Sequence, residues 1–316
     1  MIEEPRGGID YAECGAGPTI VLVPGSCSTG AAWRPVIATW NGQFRCVTTS
    51  LLGYGGTAER RTAGDADISH EAEILESVIR KAGTCVHLVG HSFGSLVALE
   101  VALRCRVPLA SLVILEARAL GMLRECGEHV HYRAFSQMAD AYFAAFDGGN
   151  AEAIAAMIDF YGGAGTYAAW PPRVRAYAIE TTPVNIRDWA SAYGFALPAA
   201  SLAALQFPTL VVRGGQSNPA VQRANALLSE CISGAALATI DTAAHFMIAT
   251  HPNEVGRLIA RHVHSAEAAL NSEPFQSANA NVVRLLQAEA THFPTDLRSH
   301  AAVTHGVRDH FARSLP

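Results

Sequence analysis

Positive charge is not in excess in this chain. Lys and Arg total 23 against 28 Asp and Glu over 316 residues, a formal net charge of -5. Binding to nucleic acid rests on cationic faces that release counterions from phosphates, so no nucleic-acid partner is expected. Arg60-Arg61 and Arg80-Lys81 are short pairs that read as solvated surface. Long apolar runs are lacking too: nothing approaches the roughly 18 uncharged residues of a bilayer-spanning helix, so no membrane partner is expected. The opening residues Met1-Ile2-Glu3-Glu4-Pro5-Arg6 hold neither the basic lead nor the apolar stretch of a secretory signal. The cysteines number seven, an odd count without C-x-x-C spacing. That pattern suits a reduced, cytoplasmic protein rather than a disulfide framework. Cys46 and Cys85 fall in expected strands, where a thiol behaves as a small buried hydrophobe.

What is present is ample apolar material, 50% hydrophobic residues with 16% charged, enough for one large domain with an insertion or for two domains. Gly8 to Cys14 and Thr19 to Val23 read as strands around the turn Gly15-Ala16-Gly17-Pro18. Ala31 to Trp40 reads as a short helix and Arg45 to Thr49 as the next strand. A helix follows from Ser69, the expected N-cap, with Ile74, Leu75, Val78 and Ile79 at helical spacing and Gly83 as its stop. Leu109 to Leu115 is a strand with almost no polar alternation. Such strands, separated by helices, indicate a mostly parallel sheet covered on both faces.

The βα rhythm breaks between 117 and 206, where alanine-rich helical pieces carry aromatics such as Phe135, Tyr142, Tyr161 and Trp189. It returns with a strand at Pro208 to Arg213, a helix from Pro219 to Leu228, a strand at Ala235 to Ile240 and a helix from Pro252 to His262. The expected organisation is a core of 1–116 and 207–264, a helical insertion over 117–206, and a C-terminal extension over 265–316. In that extension a short amphipathic helix is expected within 281–289. His300, His305 and His310 recur every five residues, a spacing that does not stack on one helical face, and read as solvated rather than metal-binding.

The densest chemical signal is Gly90-His91-Ser92-Phe93-Gly94. The apolar run from Val86 precedes it, and Leu96, Val97, Leu99 and Val101 begin a helix after it. Strand, tight turn and helix are the context in which a G-x-S-x-G serine becomes an exposed nucleophile, and glycines must flank it because the turn leaves no room for side chains. A serine hydroxyl needs a base within hydrogen-bond reach. His245 follows the last expected strand and precedes the last helix, whereas His87 lies inside a strand and His91 is expected to point away from Ser92.

On these motifs, in this order, the chain resembles the α/β-hydrolase superfamily over about residues 8–264, as a serine hydrolase of esterase or lactonase type with a helical cap at 117–206. The resemblance implies a doubly wound, mostly parallel sheet of the eight-stranded type. It also implies Ser92 as nucleophile, His245 as base and an acid between them in sequence. The acid is where this chain departs from the commoner pattern. The loop Gly214-Gly215-Gln216-Ser217-Asn218-Pro219 puts Asn218 where relatives usually carry Asp. An amide can orient an imidazole but cannot stabilise the imidazolium. Glu116, at the end of the strand after the elbow helix, is the favoured acid, since some relatives carry it there; a structural pair between Glu116 and Arg118 is the alternative, and Asp241 a third option. The expected oxyanion donors are the backbone amides of Phe93 and Ser26, with Cys27 as the neighbour that could stand in for Ser26. Trp33 is expected beneath that loop as core.

A serine at the elbow forms an acyl-enzyme, whereas dehalogenases and epoxide hydrolases of this fold use Asp. The resemblance therefore implies cleavage of a carboxylic ester or lactone of a mostly apolar small molecule, without metal or other cofactor. Thioester, amide or C–C hydrolysis remains open, as does a non-hydrolytic lyase or ligand-binding relative suggested by Asn218. For the extension three readings stay open: docking on the cap, a homodimer, or disorder.

Overall fold

The computed structural model describes residues 1–272 apart from Ala63 and Thr84. The segment 281–289 and the histidines at 300, 305 and 310 lie outside the described residues. The chain divides into two compact units, Met1–Ala268 and Ala269–Pro316, and the sheet lies in the first.

Among the described residues that sheet has seven strands, in the order β1-β3-β2-β4-β5-β6-β7, the doubly wound and mostly parallel arrangement expected. They are β1 (Ala12–Cys14), β2 (Thr19–Val23), β3 (Arg45–Thr48), β4 (Val86–His91), β5 (Leu109–Leu115), β6 (Thr209–Gly214) and β7 (Ala236–Ile240). Only β1 runs antiparallel to its neighbour; the other pairings are parallel. Alternation along the strands feeds two cores. Val21, Val23, Leu88, Leu112 and Ile114 pack into one, while Ile20, Leu22, Val89, Val113 and Leu115 pack into the other. With both faces covered by helices the inner strands β2, β4, β5 and β6 are buried almost throughout, which explains their near-continuous apolar runs, whereas the edge strands β1 and β7 stay largely exposed.

The helices are α1 (Arg34–Ala38), α2 (Ser69–Ala82) and α3 (Phe93–Arg104) before β5, and α11 (Pro219–Cys231), α12 (Met247–Thr250) and α13 (Pro252–Leu270) after β6. Between β5 and β6 lie α4 (Leu120–Glu125), α5 (His129–Asp147), α6 (Ile154–Gly162), α7 (Thr166–Ala169), α8 (Pro172–Glu180), α9 (Thr182–Gly194) and α10 (Ala199–Ala203). No strand interrupts this helical run among the described residues. None of the described helices is long and apolar enough to cross a membrane.

Several local expectations need correction. The helix read over 31–40 is a 3-10 turn, Gly30–Trp33, followed by α1. Pro35 sits in the first turn of α1, where its fixed φ and missing N–H are tolerated, so the helix restarts there. Ser69 is the first helical residue and not the cap; the Asp67 carboxylate accepts its amide N–H at 2.8 Å. Cys85 is exposed at a φ of 59° just before β4, whereas Cys46 is buried in β3. The first strand is confined to Ala12–Cys14, and the last helix runs on to Leu270 along the buried face Val255, Ile259, Val263 and Ala266.

Candidate active site

Central strand β4 delivers Ser92 into a turn at φ 56°, ψ -121° before α3 begins. A non-glycine residue rarely holds a positive φ, and such strain persists only where surroundings over-determine it. Here they do. The Ser92 amide donates to the Leu115 carbonyl at 2.9 Å, and the Ser95 hydroxyl donates to the same carbonyl at 3.1 Å. A Cβ on Gly90 would lie 2.5 Å from the Gly94 carbonyl oxygen, and one on Gly94 would run into the Pro24 carbonyl. The glycines are thus required by backbone contact on both sides of the serine.

The loop after β7 brings His245 to Ser92 across 153 residues of sequence, with Nε2 2.9 Å from the hydroxyl oxygen. His245 Nδ1 faces Glu116 Oε2 at 3.2 Å. Glu116 follows β5 at a φ of 51°, where its amide donates to the Val212 carbonyl at 2.9 Å. Its other carboxylate oxygen accepts the Gly214 amide at 2.6 Å. Both oxygens are therefore engaged away from Arg118, and the alternative pairing with Arg118 is not formed. Asn218 caps α11 through its side-chain oxygen, which accepts the Ala220 amide at 3.0 Å. Asp241 is exposed. Of the three candidate acids, the structure brings Glu116 to the histidine.

All three groups are buried: Ser92 is 4%, His245 2% and Glu116 0% exposed. Burial raises the Glu116 carboxyl to about 7, opposed by the hydrogen bond from the Gly214 amide and by the nearby Ser217 hydroxyl. Burial, joined by the nearby Arg118 charge, lowers His245 to about 3. The imidazole is neutral near pH 7, the form that can accept a proton. His91 does not reach the serine hydroxyl as a base would; its Nε2 lies 2.8 Å from the His245 carbonyl oxygen, and burial holds it at about 3. It buttresses the loop that carries His245. His87 is bound to Ser111 at 2.9 Å and to Glu267 at 3.0 Å, as a satisfied core histidine.

Phe93 opens α3, so its amide is one of the first helical N–H groups, which lack an intrahelical acceptor. The loop after β2 lies against the serine from the other side, where a Cβ on Gly25 would come 2.8 Å from the Ser92 Cβ. Ser26 stands next along that loop, so its amide and that of Phe93 belong to the two segments flanking Ser92. The neighbouring Cys27 holds a φ of 56° and is half-buried. Trp33 is fully buried among core residues.

Sequence reading missed the groups that reach the site from the helical run 117–206. Tyr161 of α6 lies over the His245 ring with centroids 4.3 Å apart. Asp188 of α9, fully buried, accepts the Ser26 hydroxyl at 2.5 Å and the Tyr54 hydroxyl at 2.7 Å. Arg61 is not solvated surface: its side chain is buried and pairs with Asp188 at 2.8 Å, Glu59 at 2.9 Å and Glu71 at 3.2 Å. Burial pushes the Glu71 carboxyl up to about 8 despite Arg61. A strand-and-turn reading cannot place charges that meet only when α9 folds onto the loop after β3. Among the described residues no three His, Cys, Asp or Glu side chains gather as a metal would require.

A family model described as the alpha/beta hydrolase family matches residues 20–258. A pimeloyl-[acyl-carrier protein] methyl ester esterase from Aliivibrio salmonicida is 35% identical over 89 residues, 28% of this chain and 32% of that protein. A putative carbamate hydrolase RutD from Azorhizobium caulinodans is 31% identical over 121 residues, 37% of this chain and 45% of that one. The chain thus spans less than half the length of either relative. In fold it is similar to a hydrolase from Oleispira antarctica, with a TM-score of 0.68, 16% identity, 82% of this chain and 95% of that one. It is similar also to Est816, described as an N-acyl homoserine lactone degrading enzyme, with a TM-score of 0.65, 20% identity and coverage of 82% and 98%.

Proposed function

Because the chain belongs to the alpha/beta hydrolase family, we propose that it is a serine hydrolase that cleaves a carboxylic ester or lactone through an acyl-enzyme on Ser92. The observation that carries this reading is the continuous line from Ser92 Oγ to His245 Nε2 at 2.9 Å and from His245 Nδ1 to Glu116 at 3.2 Å. Neutral His245 takes the hydroxyl proton as Ser92 Oγ bonds to the carbonyl carbon. The Glu116 carboxylate stabilises the imidazolium so formed, and the Phe93 and Ser26 amides receive the oxyanion. Collapse expels the alkoxide, which takes the proton from His245. Water, deprotonated by His245, then bonds to the acyl carbon, and Ser92 Oγ leaves with the proton returned by His245 as the acid is released. Partial likeness to a methyl ester esterase and fold likeness to a lactone-degrading enzyme agree with an ester-type bond.

The test is covalent labelling with a fluorophosphonate, read by intact mass and peptide mapping. One adduct on Ser92, absent in Ser92→Ala, is the expected result. Folded wild-type protein that stays unlabelled, with no turnover across a panel of esters and lactones, would overturn the proposal in favour of a non-hydrolytic relative.

A further inference from the structure

Arg118 leaves β5 two residues after Glu116 and is 1% exposed. Its guanidinium carbon lies 4.4 Å from the ring centre of Trp189 and 5.7 Å from those of Phe93 and Tyr161. Phe93 adjoins the nucleophile and Tyr161 stacks on His245, so the charge sits directly beside the reacting groups. Nη2 makes a long hydrogen bond to the Ser26 hydroxyl at 3.4 Å. Nε and Nη1 are buried without an acceptor of good hydrogen-bond geometry among the described residues, and the Tyr161 hydroxyl, close enough to the guanidinium to feel its charge, makes no well-formed hydrogen bond there either.

No carboxylate of the protein neutralises this cation among the described residues. Glu116 is committed to His245 and Gly214. Asp188, reached only through the Ser26 hydroxyl, is already paired with Arg61. A buried guanidinium with idle donors is costly and its persistence calls for a reason, of which a partner arriving from outside is one. We propose that Arg118 is a substrate-recognition residue, which binds a carboxylate carried by the substrate beside the carbonyl that Ser92 attacks.

The assignment rests on the acyl-enzyme reading and narrows its substrate class. One planar guanidinium with spare donors matches a single carboxylate. A phosphate dianion calls for further positive charge, and the side chains in contact with the guanidinium, Ser26, Phe93, Tyr161 and Trp189, supply none. The reaction itself gains from such an anion. His245 must become cationic as Ser92 loses its proton, and the bare Arg118 charge opposes that step. A substrate carboxylate cancels the opposing field when the site fills, whereas a neutral ester leaves it in place.

The experiment compares monomethyl esters of succinate, glutarate and adipate with the methyl esters of monocarboxylic acids of equal carbon number, for wild type and Arg118→Met. In wild type, kcat/KM for at least one anionic ester is expected to exceed that of its neutral twin by about tenfold or more, the scale of a charge-assisted contact. In Arg118→Met this ratio should fall by a similar factor. A ratio unchanged by the substitution, or no preference for any anionic ester, would overturn the assignment. Calorimetric titration of the same esters onto Ser92→Ala and Ser92→Ala/Arg118→Met keeps the question separate from turnover. Tighter binding of an anionic ester that the second variant loses supports the role of Arg118 even if Ser92 resists the fluorophosphonate; equal binding of both classes by the two variants overturns it.

Discussion

Glu116 and Asn218 differ in what their side chains hold. Glu116 faces His245 while Asn218 closes the first turn of α11. Glu116→Gln keeps a polar partner for the imidazole but removes the charge that stabilises its cation, so kcat should fall by roughly 10³–10⁴. Asn218→Ala should leave kcat within roughly threefold while costing about 1 kcal/mol of stability, as the loss of a cap does. Steady-state kinetics and denaturant midpoints on the two variants check both, and the opposite ordering would rule out Glu116 as the acid. The pH profile follows from the same pair. With burial holding Glu116 at about 7, kcat/KM should rise as pH climbs through the region near 7 and the carboxyl ionises. That limb belongs to the coupled Glu116–His245 pair. Its loss in Glu116→Gln is the measurement that identifies it.

At the scale of elements, the site is the meeting of a turn and three loops, each set by backbone contact. The turn between β4 and α3 has carbonyl groups pressed on it from the loop after β2. Gly94→Ala places a methyl group against the Pro24 and Val23 carbonyls, neither of which is a flexible side-chain end. A loss of about 1–3 kcal/mol is expected, together with displacement of Ser92. Gly194→Ala, at the end of α9, meets nothing within 4 Å. It should be neutral or slightly stabilising, since alanine favours helix. Chemical denaturation of the pair tests the argument; equal losses would mean that the elbow is looser than its contacts imply.

The whole molecule carries buried titratable groups displaced in opposite senses. Burial lowers His91 and His245 from 6.5 to about 3, so the unfolded chain binds more protons than the folded one below pH 6.5. Their contribution to stability is present above 6.5 and is lost as pH falls toward 3. Burial raises Glu116 and Glu71 from 4.5 to about 7 and about 8. Their contribution is present below 4.5 and is lost as pH rises through 7 and 8. Between 4.5 and 6.5 the two trends offset one another. Stability should therefore plateau across that window and decline on both sides, which urea midpoints at acid, intermediate and alkaline pH would reveal. A single steady rise from pH 4 to 8 would contradict the burial assigned to the two glutamates.

The spacing of Gly90, Ser92 and Gly94 between two apolar stretches was enough to expect a tight strand-turn-helix at Ser92, because such an elbow is made within a few neighbouring residues. The strands β2 and β5 and the position of His245 after the last strand were legible for the same local reason. Glu116 could be ranked first from its place at the end of β5, yet its selection over Asn218 and Asp241 depended on which side chain reached the imidazole across 129 residues. Arg61 was misread as surface because its partners Asp188, Glu59 and Glu71 converge from separate elements. Arg118 followed Glu116 in plain view, but its want of a partner is a property of the packed interior. Periodicity and turn chemistry act between neighbours along the chain and so are written in the sequence. Burial, charge compensation and hydrogen-bond supply depend on which distant faces meet, and only the tertiary structure decided them.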